Sequence, residues 1–281
     1  MIVCAPKRER PRQLAAEYNE AFGTAFKFYS GEEFKDAFNA VDPRQAQEQA
    51  DALVRGALKV VEPSPKQILD GLRFHLALGN ILVQERANAI TIDCFERRAA
   101  GGLPGYPCIA FSKFNDAGLY GVCDFDLHST LTQMLVTSYA RVPGFVSDPV
   151  VDSSRNEVIH THCEAPTKMR GLDKASLPYI VRSNFEFSDA PVLQVLMPSG
   201  ERITVAKFST PKRMLISTAE VTDVLQNDRG GRNQIRTRVS DAAKWVRNYS
   251  TGLHRVVFYG DYVKDIEMLG RLMGFEVARE M

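Results

Sequence analysis

After residue 143 the chain becomes rich in β-forming residues, and this change limits its fold more than any other feature. Valine- and isoleucine-rich segments follow one another at short intervals, separated by Gly, Pro, Asn and Asp. They read VPGFVSDPVVDSSRNEVIHTHC, PVLQVLMPSGERITVAKFS, KRMLISTAEVTDVL and NQIRTRVS. Short strands at this spacing are typical of an antiparallel β-barrel or sandwich. A predicted strand, LHRVVFYG, and an Asp261-capped helix, DYVKDIEMLGRLMGF, close the chain.

The part before residue 143 is mainly helical in pattern. PRQLAAEYNEAF begins with proline and repeats apolar residues at helical spacing. Two longer helices carry clear start signals: DPRQAQEQADALVRGALKVV has Asp42 as N-cap and Pro43 at the first helical position, and SPKQILDGLRFHLALGNILVQE repeats this with Ser64 and Pro65.

Few strands accompany these helices. Short apolar runs predict strands near residues 25–29, 89–94 and 107–111. Alternating helices and strands predict a parallel sheet, but three strands are too few for a complete doubly wound sheet. The predicted fold class is therefore α/β. A partial parallel-sheet α/β domain in residues 1–140, completed by further residues or another chain, precedes an antiparallel β-barrel-like domain in residues 141–281 that ends in a helix.

Composition excludes several classes of protein. The 281 residues carry a net charge of +1 without long blocks of either sign, which argues against a nucleic-acid-binding or membrane-surface protein. No stretch approaches a signal peptide or a membrane span, so we expect a cytoplasmic protein. The five cysteines are odd in number and form no CxxC pair, which favours reduced thiols over a disulfide scaffold or a zinc knuckle. They are Cys4, Cys94, Cys108, Cys123 and Cys163.

Two carboxylates stand where an extended apolar run gives way to a helix, in GVCDFDLHSTLTQML. Leu127, Leu131 and Met134 fall on one helical face, so Asp126 is in position to cap the helix. Asp124 precedes the cap on the strand side, where a side chain can project from the end of a sheet into a crevice. Asp124 is therefore the stronger candidate for chemistry.

The histidines differ in what their positions indicate. His160 and His162 lie two apart on a predicted strand, in EVIHTHCEAP, and so point to the same face. Two such imidazoles suit a first-row metal. The alternative is a pair of hydrogen-bonded barrel histidines, which the sequence would favour slightly if no acids were available to join them. His254 begins the last predicted strand. His75 and His128 lie within helices and are interpreted as structural or solvated.

One glycine-containing segment has two interpretations. NDRGGR, residues 227–232, could bind an anion through its backbone N–H groups. A Gly-Gly pair between strands is more often a hairpin turn, and the sequence favours that interpretation.

Four segments, taken in order, resemble the C-terminal part of the L-fucose isomerase and L-arabinose isomerase superfamily, especially its fucose-isomerase-like members. These segments are PCIAFSKFNDAGLYGVCDFDLHSTLTQML, GFVSDPVVD, NEVIHTHCEAPTKM and GLHRVVFYGD. The resemblance extends from about residue 30 to the end of the chain. It implies a cytoplasmic enzyme that interconverts aldoses and ketoses.

The same resemblance implies a divalent cation, commonly Mn²⁺, held by two acids and one or two histidines. The first acid corresponds to Asp124 in CDFD and the second to Asp148 in GFVSDP. The histidine of HTHC corresponds to His162, and the late histidine before a strand corresponds to His254. Asp124 and Asp148 are thus the implied catalytic residues, and all four residues are the implied metal ligands, which we expect to converge at one end of the barrel.

These residue types suit the chemistry. Moving a proton between C1 and C2 of a sugar passes through an enediol, whose negative charge a hard cation stabilises by chelating O1 and O2. Two carboxylates beside the cation can act as general base and general acid. Mn²⁺ accepts mixed oxygen and imidazole ligation.

The sequence departs from the superfamily in two respects. Glutamate usually stands where this chain has Asp124, and Asp126 could take part of the role of the shorter acid. Members also carry about another domain and a half before the matching region, with active sites between subunits. We therefore expect a homo-oligomer, a trimer or hexamer, or a complex with a longer chain, and little or no isomerase activity from the isolated chain. A non-catalytic or split-subunit relative that serves as a sugar- or metal-binding scaffold is the alternative.

Overall fold

The structure, a computed structural model, describes residues 2–4, 10–94, 101–247 and 252–280, and of residues 2–4, 10 and 11 it describes the backbone alone. A small parallel sheet with helices is followed by a closed six-stranded antiparallel barrel and a helix near the C-terminus. This confirms the predicted α/β class with a barrel-like second part. The division into domains at residue 140 stays a prediction.

The parallel sheet contains one strand from the start of the chain that the sequence patterns did not indicate. Its strands run in the order β2-β1-β3-β4, and all neighbouring pairs are parallel. They are β1 Ile2–Cys4, β2 Lys27–Phe28, β3 Ala89–Ile92 and β4 Tyr120–Cys123. β4 is the apolar run that leads into Asp124, so the carboxyl end of the sheet delivers this acid.

Helices pack around the sheet and the barrel. They are α1 Arg10–Phe22, α2 Gly31–Asn39, α3 Pro43–Gly56, α4 Pro65–Gln84, α5 Cys108–Asp116, α6 Leu127–Ala140, α7 Ala242–Arg247 and α8 Val263–Met273. The predicted caps Asp42 and Ser64 are confirmed, each accepting a hydrogen bond from the first turn of its helix. Asp261 accepts from the N–H of Val263 at 3.3 Å, although it lies one residue before the N-cap position. No helix of the described ranges is long and apolar enough to cross a membrane.

The strand predicted near residues 107–111 is wrong, because this run begins helix α5. Ile109, Ala110 and Phe111 are all fully buried, so the helix shows no polar face in this stretch. A short apolar run of this kind cannot be assigned to a strand or a helix by periodicity. α5 lies so close to β4 that a Cβ at Gly121 would stand 2.6 Å from the Cα of Phe111. The glycine in β4 therefore permits the packing.

The barrel closes because its first and last strands pair. Its order is β11-β6-β5-β12-β9-β10, and β10 pairs again with β11. The strands are β5 Phe145–Asp152, β6 Glu157–His162, β9 Arg202–Thr210, β10 Arg213–Val224, β11 Asn233–Arg238 and β12 Arg255–Tyr259. Closure removes free edges, and the interior is filled by buried side chains such as Phe145, Val158, Ile203 and Val257.

Three further strands lie outside the closed six-stranded barrel. β7 Tyr179–Ser183 and β8 Pro191–Val195 form a separate hairpin. The predicted terminal helix is α8, and a short strand, β13 Glu276–Arg279, follows it and pairs in parallel with β10. Gly274 ends α8 with a φ of 79°, and buried Phe275 then turns the chain back onto the barrel.

Candidate metal and acid–base site

Residues from four separate segments meet at one end of the barrel. Asp124 follows the last residue of β4, and His162 is the last residue of β6. Asp148 lies in β5, and His254 immediately precedes β12. Strands β6, β5 and β12 are neighbours, and their register brings the last three of these residues to the same end. The topology thus brings together side chains that are far apart in sequence.

The four side chains lie within a few ångströms of one another. Oδ2 of Asp124 lies 3.9 Å from Nε2 of His162 and 3.5 Å from Nε2 of His254. Oδ1 of Asp148 lies 3.3 Å from the same His254 nitrogen. Possible ligand atoms of Asp124, His162 and His254 all lie within 4.8 Å of one another. Such spacing suits one ion, because first-row metal–ligand distances of about 2.0–2.2 Å place ligands about 3–4 Å apart.

The charges in this cluster support one another. Burial disfavours ionised Asp124, but its ionic contacts with His162 and His254 outweigh burial and hold its pKa well below the usual range. Burial also disfavours the His254 cation, but Asp124 and Asp126 overcome this and raise its pKa to about 9. The pKa of His162 is likewise raised by nearby anionic groups despite burial. Both imidazoles therefore hold protons near neutral pH that a bound cation would have to displace.

Backbone strain is concentrated at the first acid. Asp124 and Phe125 have φ values of 58° and 54°, in the left-handed region. Each such residue costs about 1–2 kcal/mol relative to ordinary backbone. Two consecutive strained residues between β4 and α6 aim the Asp124 carboxylate at the histidines, and strain of this kind clusters at functional sites.

Asp126 is the helix cap that its position predicted, and it also holds His254. Its carboxylate accepts hydrogen bonds from the Ser129 N–H at 3.0 Å and from Nδ1 of His254 at 3.0 Å. Nζ of Lys207 lies 2.9 Å away, and the side chain of this lysine is only 3% exposed. Burial alone would raise the Asp126 pKa, but Lys207 and then His254 hold it well below the usual range. With these partners Asp126 orients His254, and Asp124 is the better placed to meet a ligand.

The fold also gathers four of the five cysteines beside the acids. The Sγ atoms of Cys94 and Cys123 lie 2.8 Å apart, and those of Cys108 and Cys163 lie 3.8 Å apart. Cys163 Sγ lies 3.5 Å from Nδ1 of His162. Hydrogen bonds from Cys108 and Cys123, with the His162 cation beside them, hold the Cys163 pKa well below the usual thiol value despite burial. All four cysteines are free.

No sequence pattern predicted this cluster, since its members lie on separate segments. Cys94 and Cys123 follow or end neighbouring parallel strands, Cys108 begins α5, and Cys163 follows β6. The only available signal was adjacency: Cys123 and Cys163 each stand next to a predicted metal ligand.

A cavity of about 190 Å³ opens in front of the cluster. Asp124, Asp148 and His162 line it together with Cys123 and Cys163. The loop between β7 and β8 contributes residues 184–187 to its wall. The cavity is thus polar on the side of the acids, while the loop supplies aromatic surface.

The NDRGGR segment connects β10 to β11, which fits the hairpin interpretation, but its second glycine has a further role. A Cβ at Gly231 would stand 2.4 Å from the carbonyl carbon of His162. Its carbonyl oxygen accepts a hydrogen bond from the Gln234 side chain at 2.7 Å. Gly231 therefore lets the hairpin pack directly on the backbone of a predicted metal ligand.

The remaining histidines lie outside the cluster. His160 points into the barrel with His162, as predicted, but contacts Ser147 Oγ at 3.1 Å and the ring of Trp245. Burial and then Arg255 lower its pKa to about 3, so it is a neutral barrel residue. His75 packs on Phe114 and His128 contacts the Tyr18 hydroxyl at 2.6 Å.

Comparison with known proteins relates the chain distantly to sugar isomerases. It is 24% identical over 200 residues to the sulfoquinovose isomerases of Priestia aryabhattai and Priestia megaterium. The matching region covers 68% of this chain but 44% of each relative, so the chain spans less than half the length of these proteins. No protein-family model matches the chain. The similarity therefore supports the sugar isomerase superfamily, and the particular family stays a prediction.

Proposed function

We propose that this chain supplies the metal-binding and acid–base residues of an aldose–ketose isomerase. The observation that carries the proposal is the meeting of Asp124, Asp148, His162 and His254 at one end of the barrel. The first three of these residues line one cavity. The distant similarity to sulfoquinovose isomerases points to the same class of reaction.

The donor atoms of this cluster fit Mn²⁺ or a similar divalent cation. Two carboxylates and two imidazoles form a mixed oxygen and nitrogen set, which suits Mn²⁺. Oδ1 of Asp148 is buried and accepts no hydrogen bond within the described residues, although His254 lies nearby. Such an oxygen is ready to bind a cation. Asp126 holds the other ring nitrogen of His254, as carboxylates commonly do for metal-binding histidines.

The reaction requires a proton to leave C2 of the aldose and a proton to reach C1, through an enediol. When bound, the cation supplies positive charge that stabilises the negative charge developing on the sugar oxygens. Asp124 is held ionised and lies at the cavity wall, so it can accept a proton. Asp148 lines the same cavity and is proposed as the second acid–base group.

The substrate class is an aldose, bound in the cavity beneath the β7–β8 loop. Because both relatives are named for sulfoquinovose, a sulfonated hexose is the first aldose to test. Phe185 of the loop is 44% exposed and lines the cavity, so it offers an apolar surface to a sugar ring.

Assembly is the second part of the proposal. Helix α8 exposes large apolar side chains, with Met268, Leu272 and Met273 exposed by 42%, 74% and 43%. Neighbouring apolar residues on a surface helix are typical of protein contacts. We propose that the active form is a homo-oligomer, a trimer or hexamer, or a complex with a longer chain.

The experiment is a sugar panel with added Mn²⁺, monitored for ketose formation by chromatography. We expect the assembled form to convert at least one aldose, an activity that is lost in Asp148→Asn and His254→Ala and retained in His75→Gln, a control histidine remote from the cavity. Mn²⁺ binding without turnover in any assembly state would favour the alternative function, a non-catalytic relative that serves as a sugar- or metal-binding scaffold. Neither binding nor turnover would contradict the proposal.

A further inference from the structure

The two strand ends that carry the proposed Mn²⁺ ligands each carry a sulfur ligand as well. Cys123 and Asp124 are adjacent at the end of β4, and His162 and Cys163 are adjacent at the end of β6. Each pair therefore offers one thiol and one carboxylate or imidazole to the same cavity. Two sets of possible ligands lie side by side as a result: the acid set, which contains Asp124 and Asp148, and the sulfur set, which contains Cys123 and Cys163.

The imidazole of His162 stands between these sets. Its Nε2 faces Asp124 at 3.9 Å, and its Nδ1 faces the sulfur of Cys163 at 3.5 Å. Possible ligand atoms of Cys123, His162 and Cys163 all lie within 4.8 Å of one another. Ligands on a tetrahedral zinc ion stand about 3.3–3.8 Å apart, given Zn–S near 2.3 Å and Zn–N near 2.0 Å. The sulfur set therefore needs only small movements to close on an ion.

We propose that Cys123, Cys163 and Nδ1 of His162 form a second cation site, selective for thiophilic divalent ions such as Zn²⁺. Thiolate and imidazole ligands select zinc over Mn²⁺, which prefers oxygen-rich ligation. Three protein ligands leave a fourth position on the cavity side, the arrangement of zinc sites that keep an open position. The inference does not depend on isomerase activity.

Cobalt substitution provides the first test. Co²⁺ added anaerobically to the reduced, full chain should give sulfur-to-cobalt charge-transfer absorption in the near ultraviolet and tetrahedral ligand-field bands in the visible. Zn²⁺ should remove both. Cys123→Ser and Cys163→Ser should lose the charge-transfer absorption. Asp148→Asn, which removes a ligand from the acid set alone, should keep it while losing Mn²⁺ affinity.

X-ray absorption at the zinc edge of the wild-type protein provides a second test, which no folding defect of a variant can confuse. The site predicts two sulfur neighbours per zinc at about 2.3 Å. A shell of only nitrogen and oxygen neighbours, or cobalt spectra unchanged by both cysteine substitutions, would overturn the inference. Sulfur ligation in a protein that neither binds Mn²⁺ nor isomerises sugars would support this site and contradict only the proposed function.

Discussion

The carboxylate of Asp126 offers a quantitative test of how the site is held together. Asp126→Asn keeps an oxygen that can cap α6 but removes the negative charge that faces Lys207 and His254. Lys207 is 3% exposed and lies 2.9 Å from the carboxylate, so the change leaves a buried ammonium without its counter-ion. Breaking such a pair from one side costs about 3–5 kcal/mol. His254 can lose its proton in response, so we expect the free energy of unfolding to fall by about 3 kcal/mol, the lower end of this range.

The same position separates the cap from the ion pair. Asp126→Ala also removes the cap to the Ser129 N–H and should cost about 1 kcal/mol more than Asp126→Asn. Lys207→Met in the Asp126→Asn background should recover most of the loss, because it removes the unmatched charge.

Urea unfolding at pH 7 with chelator present measures these differences, provided that the slope with urea is unchanged. Asp70→Asn is the control, because its pair with Lys66 has a similar length of 2.6 Å but involves a lysine side chain that is 81% exposed. That substitution should cost less than about 1 kcal/mol. A loss below about 1 kcal/mol for Asp126→Asn, without recovery by Lys207→Met, would refute the reasoning.

Three further predictions follow from buried groups. Gly231→Ala should reduce Mn²⁺ affinity at least tenfold in calorimetry, because the new methyl group would stand 2.4 Å from the backbone of His162; unchanged affinity would contradict the packing argument. Glu164 is buried without a hydrogen-bond partner within the described residues, and burial raises its pKa to about 8. The folded protein then keeps a proton that the unfolded chain releases above about pH 4.3. Between pH 5 and 8 the free energy of unfolding of the wild type should therefore fall by roughly 3–4 kcal/mol more than that of Glu164→Gln. Urea unfolding in the presence of chelator measures this difference, and parallel pH profiles of the two proteins would contradict the prediction. Glu280→Gln should cost about 3–5 kcal/mol in the same assay, because Arg255 and Glu280 are 1% and 0% exposed and pair at 2.7 Å; a cost below 1 kcal/mol would contradict it.

Local signals explain which parts of the fold were accessible from the sequence. Asp42, Ser64 and Asp126 are caps because short polar side chains satisfy the open N–H groups of a first helical turn, and that chemistry is visible in the sequence. The barrel strands were visible because runs rich in valine and isoleucine stand between turn residues. The first turn of α5 had no such signal, because Cys108, Ile109, Ala110 and Phe111 are all buried and show no polar face.

The candidate site was partly accessible for the same reason. Asp124, His162 and His254 stand at or next to strand ends, while Asp148 lies in the middle of β5. A barrel topology allows the four residues to meet, although only the register shows that they do. The thiol cluster and the partner Lys207 depend on tertiary contacts between distant segments. No periodicity or spacing in one sequence records such contacts.

The most direct test of the account is calorimetric titration of the metal-free protein with Mn²⁺ near pH 7, in two buffers of different ionisation enthalpy. The raised pKa values of His162 and His254 mean that binding must displace their protons. We predict one tight site per chain, a release of between one and two protons, and affinity that weakens as the pH falls. His254→Ala should lose at least tenfold in affinity, and His75→Gln should match the wild type. Binding without proton release, or equal affinity in His254→Ala, would contradict the proposed metal site.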